Sequence, residues 1–153
     1  MQFIIVNNWT LLKTKDVDVE IERDLKEIVY RLQNFSGFDI AAFKQLIEDT
    51  GELVALKILA RFYLTTEETI TNVKMGIEND DSDIIWKACH KLCGSAELLG
   101  FKSYGQKSRK LNLDVKAMPD VPLHMNELTS YISEGREIMK AILLSFPNLK
   151  NYL

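Results

Sequence analysis

The sequence predicts an all-α fold, an antiparallel bundle of long helices. Three observations point there. Gly and Pro are scarce, 7 and 3 in 153 residues, fewer than the turns of an all-β domain require. Apolar residues recur at helical spacing through most of the chain. The stretches that carry them are separated by short breaks, which make sequence neighbours pack antiparallel. A chain of this length, 46% hydrophobic and 27% charged, can bury a real core. The net charge of -3 comes from interspersed acids and bases, so no polyanion-binding face is expected and nucleic acid is not a predicted partner.

The elements follow in order. Residues 1–16 read as an extended or irregular N-terminal segment, with β-forming side chains over Phe3–Val6, and 17–153 as a single helical domain. Residues 17–34 place Ile21, Leu25, Ile28, Val29 and Leu32 on one face, with acids early and Arg31 late, as the helix dipole favours. Asn34–Gly37 ends that helix. A second runs from about Asp39, a good N-cap, to Glu48, and Asp49–Gly51 breaks it. Residues 52–64 carry Leu53, Leu56, Leu59, Ala60 and Tyr63. Thr65 or Thr66, with Glu68 placed for a capping box, then opens a further stretch with Ile70, Val73 and Ile77. Asn79–Asp81 closes it, Ser82 caps a helix to about Leu99, and Gly100 stops it. A helix over 102–113, a loop at Met118–Pro122 and a last helix from about Leu123 to Phe146 complete the bundle. Gly135 weakens that last helix, and Pro147 ends it.

The helix from Ser82 to Leu99 holds the chemistry. At about 100° per residue, Ile85, Ala88, Cys89, Leu92, Ala96 and Leu99 form a core stripe. His90 falls on the opposite, solvent side, with Trp86 and Lys87 one turn before it and Cys93, Gly94 and Glu97 after it. Glycine inside a helix costs about 1 kcal/mol relative to alanine, so Gly94 needs a reason. Placed one turn past His90, it leaves the imidazole approachable by something bulky. An exposed imidazole, a cleared path and an outward aromatic ring make a docking face around a reactive nitrogen, for which Trp86, Lys87, Cys93, Glu97 and Leu98 are the candidates.

His90-Lys91-Leu92-Cys93-Gly94-Ser95-Ala96, followed by Leu99-Gly100-Phe101, resembles the signature of histidine-containing phosphotransfer (HPt) domains. Asp80 and Ala88 precede it where that family tends to place an acid and an alanine. Phe38-Asp39, Gly51 and the apolar residues up to Phe62 are similar to its opening. The resemblance covers roughly residues 38–112. It implies an up-and-down antiparallel four-helix bundle with an additional N-terminal helix or helices, and a two-component phosphorelay protein in which His90 is the phosphoacceptor, taking a phosphoryl group from a receiver-domain aspartate and passing it to another receiver. The implied partners are response-regulator receiver domains, a hybrid histidine kinase, or both, with Mg²⁺ supplied by the receiver. No cofactor is expected on this chain, nor any metal site. The expected role is that of a phosphoryl carrier without kinase or ATPase activity of its own, since no phosphate-binding glycine loop is present. The family usually has lysine three residues after the histidine; here Cys93 stands there, and Lys87 is the nearest substitute on the same side. Asn112 stands where many members have an acid or glutamine and can hydrogen-bond to the histidine or phosphate region. Lys87, Gly94 and Asn112 are therefore the expected phosphate environment.

Rival readings stay open on sequence. One is an HPt-like docking or adaptor module that binds receivers or kinases without carrying phosphate, which Cys93 favours. Another is an HPt segment of a larger kinase. A metal or redox site at Cys89-His90 and Cys93 lacks further ligands, because His124 is the only other histidine and has a surface or capping role by default. Met75, Met118, Met125 and Met139 read as filler. Cys89 and Cys93 are read as free thiols, no 18-residue apolar run exists, and Met1–Val6 lacks a basic leader. The expectation is a cytoplasmic protein, monomer rather than dimer, without membrane contact.

Overall fold

A computed structural model describes residues 18–153. Among them every regular element is helical: α1 over 18–32, α2 Ile40–Thr50, α3 Glu52–Glu78, α4 Ser82–Leu99, α5 Lys102–Ala117 and α6 Met125–Ser145, with 3₁₀ turns at Val121–His124 and Leu149–Tyr152. The expectation of an extended segment over 1–16 lies outside the described residues. No helix among those described is long and apolar enough to cross a membrane.

Helices α3 to α6 form the bundle. Each packs on its sequence neighbour, α6 packs back on α3, and α4–α5 is the most extensive of these interfaces. Connections are short: Asn79–Asp81 joins α3 to α4, and Gly100–Phe101 joins α4 to α5, which forces antiparallel neighbours. The core runs through the bundle on Leu56, Leu59, Val73, Ile85, Leu92, Val115, Leu128 and Ile142, all buried. Helices α1 and α2 lie outside it, adding Ile28, Leu32 and Phe43 to the same cluster. The C-terminal turn holds α1 in place. Asp24 accepts hydrogen bonds from the Asn148 amide at 2.9 Å and from the Tyr152 hydroxyl at 2.6 Å.

Gly100 stops α4 as its sequence position foretells. Its φ of 116° is a left-handed conformation that β-carbons resist, and a Cβ there would lie 2.5 Å from the Asp39 carbonyl oxygen. The Asp39 N–H donates to the Gly100 carbonyl at 2.8 Å, so the start of α2 is pinned to the end of α4.

Several boundaries differ from the sequence reading. Residues 52–78 are one helix, not two. Thr65 and Thr66 turn their hydroxyls back onto the Arg61 and Phe62 carbonyls, at 3.0 and 2.8 Å, so neither caps a new helix. Glu68 is drawn to Lys91 on α4 instead of a capping box. Leu53 is exposed together with Val54, since Ala55 is the residue that the first turn of α3 turns into the core. Asp81, not Ser82, caps α4, accepting from the Asp83 and Ile84 N–H groups at 3.1 and 3.3 Å. Helix α5 runs to Ala117, beyond the expected 113, because Val115 is buried and extends the stripe. Residues 121–124 form a 3₁₀ turn ahead of α6, with Pro122 lacking the N–H a continuous helix would use. His124 is buried, and its Nε2 lies 2.8 Å from the Met118 carbonyl, so it fastens the loop before α6 and is not a surface residue.

Candidate functional site

The α4–α5 pairing builds the site. The two helices run antiparallel in a register marked by three cross-pairs: Glu97 with Arg109 at 3.0 Å, His90 with Asn112 at 3.3 Å, and Trp86 with Lys116 at 4.6 Å from Nζ to ring centroid. Their close approach depends on Gly105. A Cβ there would lie 2.5 Å from Glu97 Cγ and 3.0 Å from the Cys93 carbonyl oxygen. Beneath the paired helices the core stripe is as expected, with Ile85, Ala88, Cys89, Leu92, Ala96 and Leu99 all buried.

His90 is exposed on the outer side of α4. Its Nδ1 faces the Asn112 amide, which the backbone of α5 carries to it. With Nδ2 toward the ring, the amide donates to Nδ1 and leaves the ring proton on Nε2. Rotated by 180°, it accepts from Nδ1–H and frees the Nε2 lone pair. The structure has Nδ2 3.3 Å from Nδ1, the first arrangement; the second, one amide rotation away, makes Nε2 a nucleophile. Gly94 is exposed one turn on, and a Cβ built there meets nothing within 4 Å. The space over the helix beside His90 is therefore open.

The other predicted residues divide. Lys87 is exposed, and its Nζ lies 5.5 Å from the Trp86 ring centroid. Trp86 is half-buried against the core cluster, and its indole N–H donates to Asp83 at 3.1 Å; it is less outward than its wheel position suggests because it packs on that cluster and Lys116 of α5 lies over its ring. Leu98 is 52% exposed, which places it on the outer face, not in the core. Glu97 is half-buried in its ion pair with Arg109. Cys93 is not a surface contact. It is only 7% exposed, and its thiol donates to the His90 carbonyl at 3.2 Å within the helix. The 100° wheel sets Cys93 near the boundary of the polar face, and α5 closes over that boundary. Cys89 is fully buried, so the two thiols and the outward imidazole cannot converge on one metal ion. Burial pushes the Cys89 thiol up to about 12, the thiol of an apolar core residue.

Sequence reasoning missed Arg109, Leu113 and Lys116. All three sit on α5 beside the His90 face, with Leu113 60% exposed. For Arg109 and Lys116 the signal was available only as an offset from Asn112, since positions i−3 and i+4 share its face once α5 is known to pack on α4; Leu113, at i+1, had none. A groove of about 330 Å³ lies elsewhere, between α5 and α6, lined by Lys107, Lys110, Leu111, Asn126, Glu127 and Ser130. The site is thus a convex helix face and not a cavity. Comparison with protein-family models, with curated proteins and with solved structures yields no match to this chain.

Proposed function

We propose that this protein is a histidine phosphocarrier of the HPt kind, with His90 as phosphoacceptor between receiver domains. One observation carries the reading: His90 is an exposed imidazole, oriented at Nδ1 by Asn112, with open space above Gly94 for a partner to approach. Such a convex site suits phosphoryl transfer between proteins, which needs in-line approach and charge stabilisation more than an enclosed pocket.

In the proposed step the Nε2 lone pair attacks phosphorus of a receiver acyl phosphate. The new N–P bond forms as the acyl O–P bond breaks, and the aspartate leaves as carboxylate. The step needs the Asn112 amide turned so that Oδ1, in place of the Nδ2 that lies 3.3 Å from the ring, accepts from Nδ1–H and leaves the Nε2 lone pair free. Phosphorylated on Nε2 and protonated on Nδ1, the ring is an activated donor for the next receiver, by the same path reversed. The divalent ion belongs to the receiver's acidic pocket and neutralises charge on the phosphoryl oxygens there. Leu98 on α4 and Leu113 on α5 are exposed apolar residues available to the partner.

The adaptor reading has one observation in its favour: the position of the family's usual lysine is a buried cysteine. Transfer from a panel of Mg²⁺-loaded phosphorylated receivers to the wild type and to His90→Gln separates the two. Acid-labile label on the wild type alone supports the carrier. Receiver binding without label on either protein supports the adaptor.

A further inference from the structure

Phosphoryl transfer to an exposed imidazole leaves a dianionic group at the surface of α4, away from the receiver's divalent ion once the receiver departs, where a cation of this chain can face it. The cations of α4 and α5 are largely committed elsewhere. Lys91 pairs with Glu68 at 3.3 Å and Arg109 with Glu97 at 3.0 Å. Lys102 pairs with Asp39, Lys107 with Glu134, and Lys110 with Asp114 and Glu127. Only Lys87 and Lys116 on these two helices make no ion pair with a described carboxylate, and both converge on the ring of Trp86.

Trp86 is itself fixed. It packs on the core cluster, and its indole N–H is tied to Asp83 at 3.1 Å. Lys116 lies nearer the ring than Lys87, 4.6 Å against 5.5 Å from the centroid. It also follows Asn112 by one turn of α5, while Trp86 precedes His90 by one turn of α4, so the Lys116–Trp86 pair flanks the Asn112–His90 pair. A cation held on an aromatic face keeps its charge and loses much of its freedom. We propose that Lys116, held over Trp86, is the positioning cation for the phosphoryl group on His90, taking the role that a lysine at position 93 cannot fill because that position is buried. This rests on the phosphocarrier reading. Lys116 touches neither ring nitrogen; it acts by orienting and neutralising phosphoryl oxygens as the N–P bond forms.

The test loads the full chain with phosphoramidate, a small anionic phosphoryl donor, and follows ³¹P resonances of wild type, Lys116→Gln, Lys116→Arg and Trp86→Leu, with far-UV circular dichroism as the folding control. A unit charge about 6 Å away in a water-like medium shifts a phosphoryl titration by about 0.5 pH unit and a transfer rate by about threefold. Lys116→Gln should therefore raise the midpoint of the phosphohistidine phosphoryl group by that amount and slow loading about threefold, with Lys116→Arg restoring both. Trp86→Leu, which keeps the charge and removes its support, should show part of the same loss. Phosphohistidine on the wild type with the same midpoint and rate in Lys116→Gln would overturn the assignment of Lys116 alone. No phosphohistidine at His90 on the wild type would overturn the phosphocarrier reading and this inference together.

Discussion

Two helix-interior glycines, Gly94 and Gly105, sit within 11 residues on the paired helices α4 and α5, and alanine should have opposite effects at them. At either position alanine gains about 1 kcal/mol of helix propensity. At Gly94 the new methyl meets nothing within 4 Å, so the gain stands. At Gly105 it lands 2.5 Å from Glu97 Cγ, 3.0 Å from the Cys93 carbonyl oxygen and 3.1 Å from the Glu97 nitrogen. Two of those atoms are backbone and cannot swing aside, so α4 and α5 must separate, at an overpacking cost of about 1–3 kcal/mol. Gly94→Ala should thus stabilise the protein by about 1 kcal/mol, a rise in Tm of about 3 °C, and Gly105→Ala should destabilise it by about 1 kcal/mol. Urea unfolding followed by circular dichroism reads both, at unchanged m-value. A Gly94→Ala protein less stable than wild type would refute the open-space geometry beside His90. A Gly105→Ala protein more stable than wild type would refute the tight α4–α5 contact that carries Asn112 to the histidine. A stabilising change left unused at Gly94 is what a position kept clear for a partner looks like, and a bulky Gly94→Gln should slow transfer while leaving the fold intact.

Other expectations follow from single contacts. Asp81→Ala removes the α4 N-cap and should cost about 1 kcal/mol in urea unfolding, whereas Ser82→Ala should change stability little. The Cys89 thiol is held neutral, its pKa pushed by burial from 9.0 up to about 12. Its contribution to stability is complete below pH 9 and is lost as pH rises toward 12, because only the unfolded chain releases the proton there. Stability should fall between pH 9 and 11 more steeply in wild type than in Cys89→Ala, by up to about 1.4 kcal/mol per pH unit; parallel slopes would contradict the burial. The same thiol should resist alkylation in the native state. Asp24→Ala removes the acceptor of the Asn148 and Tyr152 hydrogen bonds, so amide exchange should quicken in α1 before the bundle itself opens.

The bundle was legible in the sequence because its signals were local. The stripe from Ile85 to Leu99, the Asp39 cap and the Gly100 stop each depend on residues within a turn or two, and each stands in the structure. The misreadings came from tertiary choices. Thr65 and Thr66 carry cap chemistry, but burial of Leu59, Phe62, Ile70 and Val73 along one line keeps α3 continuous, and the hydroxyls fold back on the helix. Cys93 lies at the edge of its helix wheel, and only the arrival of α5, allowed by Gly105, decides that it is buried. His124 has no motif because its role is a single hydrogen bond to a loop carbonyl. Half of the candidate site, His90 with Lys87, Trp86, Gly94 and Leu98, could be read from one helix. The half supplied by α5 could not, apart from Asn112, because periodicity gives each helix its faces but not the register between two of them.

The central claim is that His90 Nε2 carries the phosphoryl group. It is tested most directly on protein labelled with ¹⁵N in histidine, loaded from a phosphorylated receiver with Mg²⁺, by two-bond ¹H–¹⁵N correlation and ¹⁵N–³¹P coupling. The account predicts coupling at one nitrogen only, Nε2 of His90, with Nδ1 of the same ring protonated. Coupling at Nδ1, or no coupled histidine nitrogen from receivers that demonstrably bind, would contradict it.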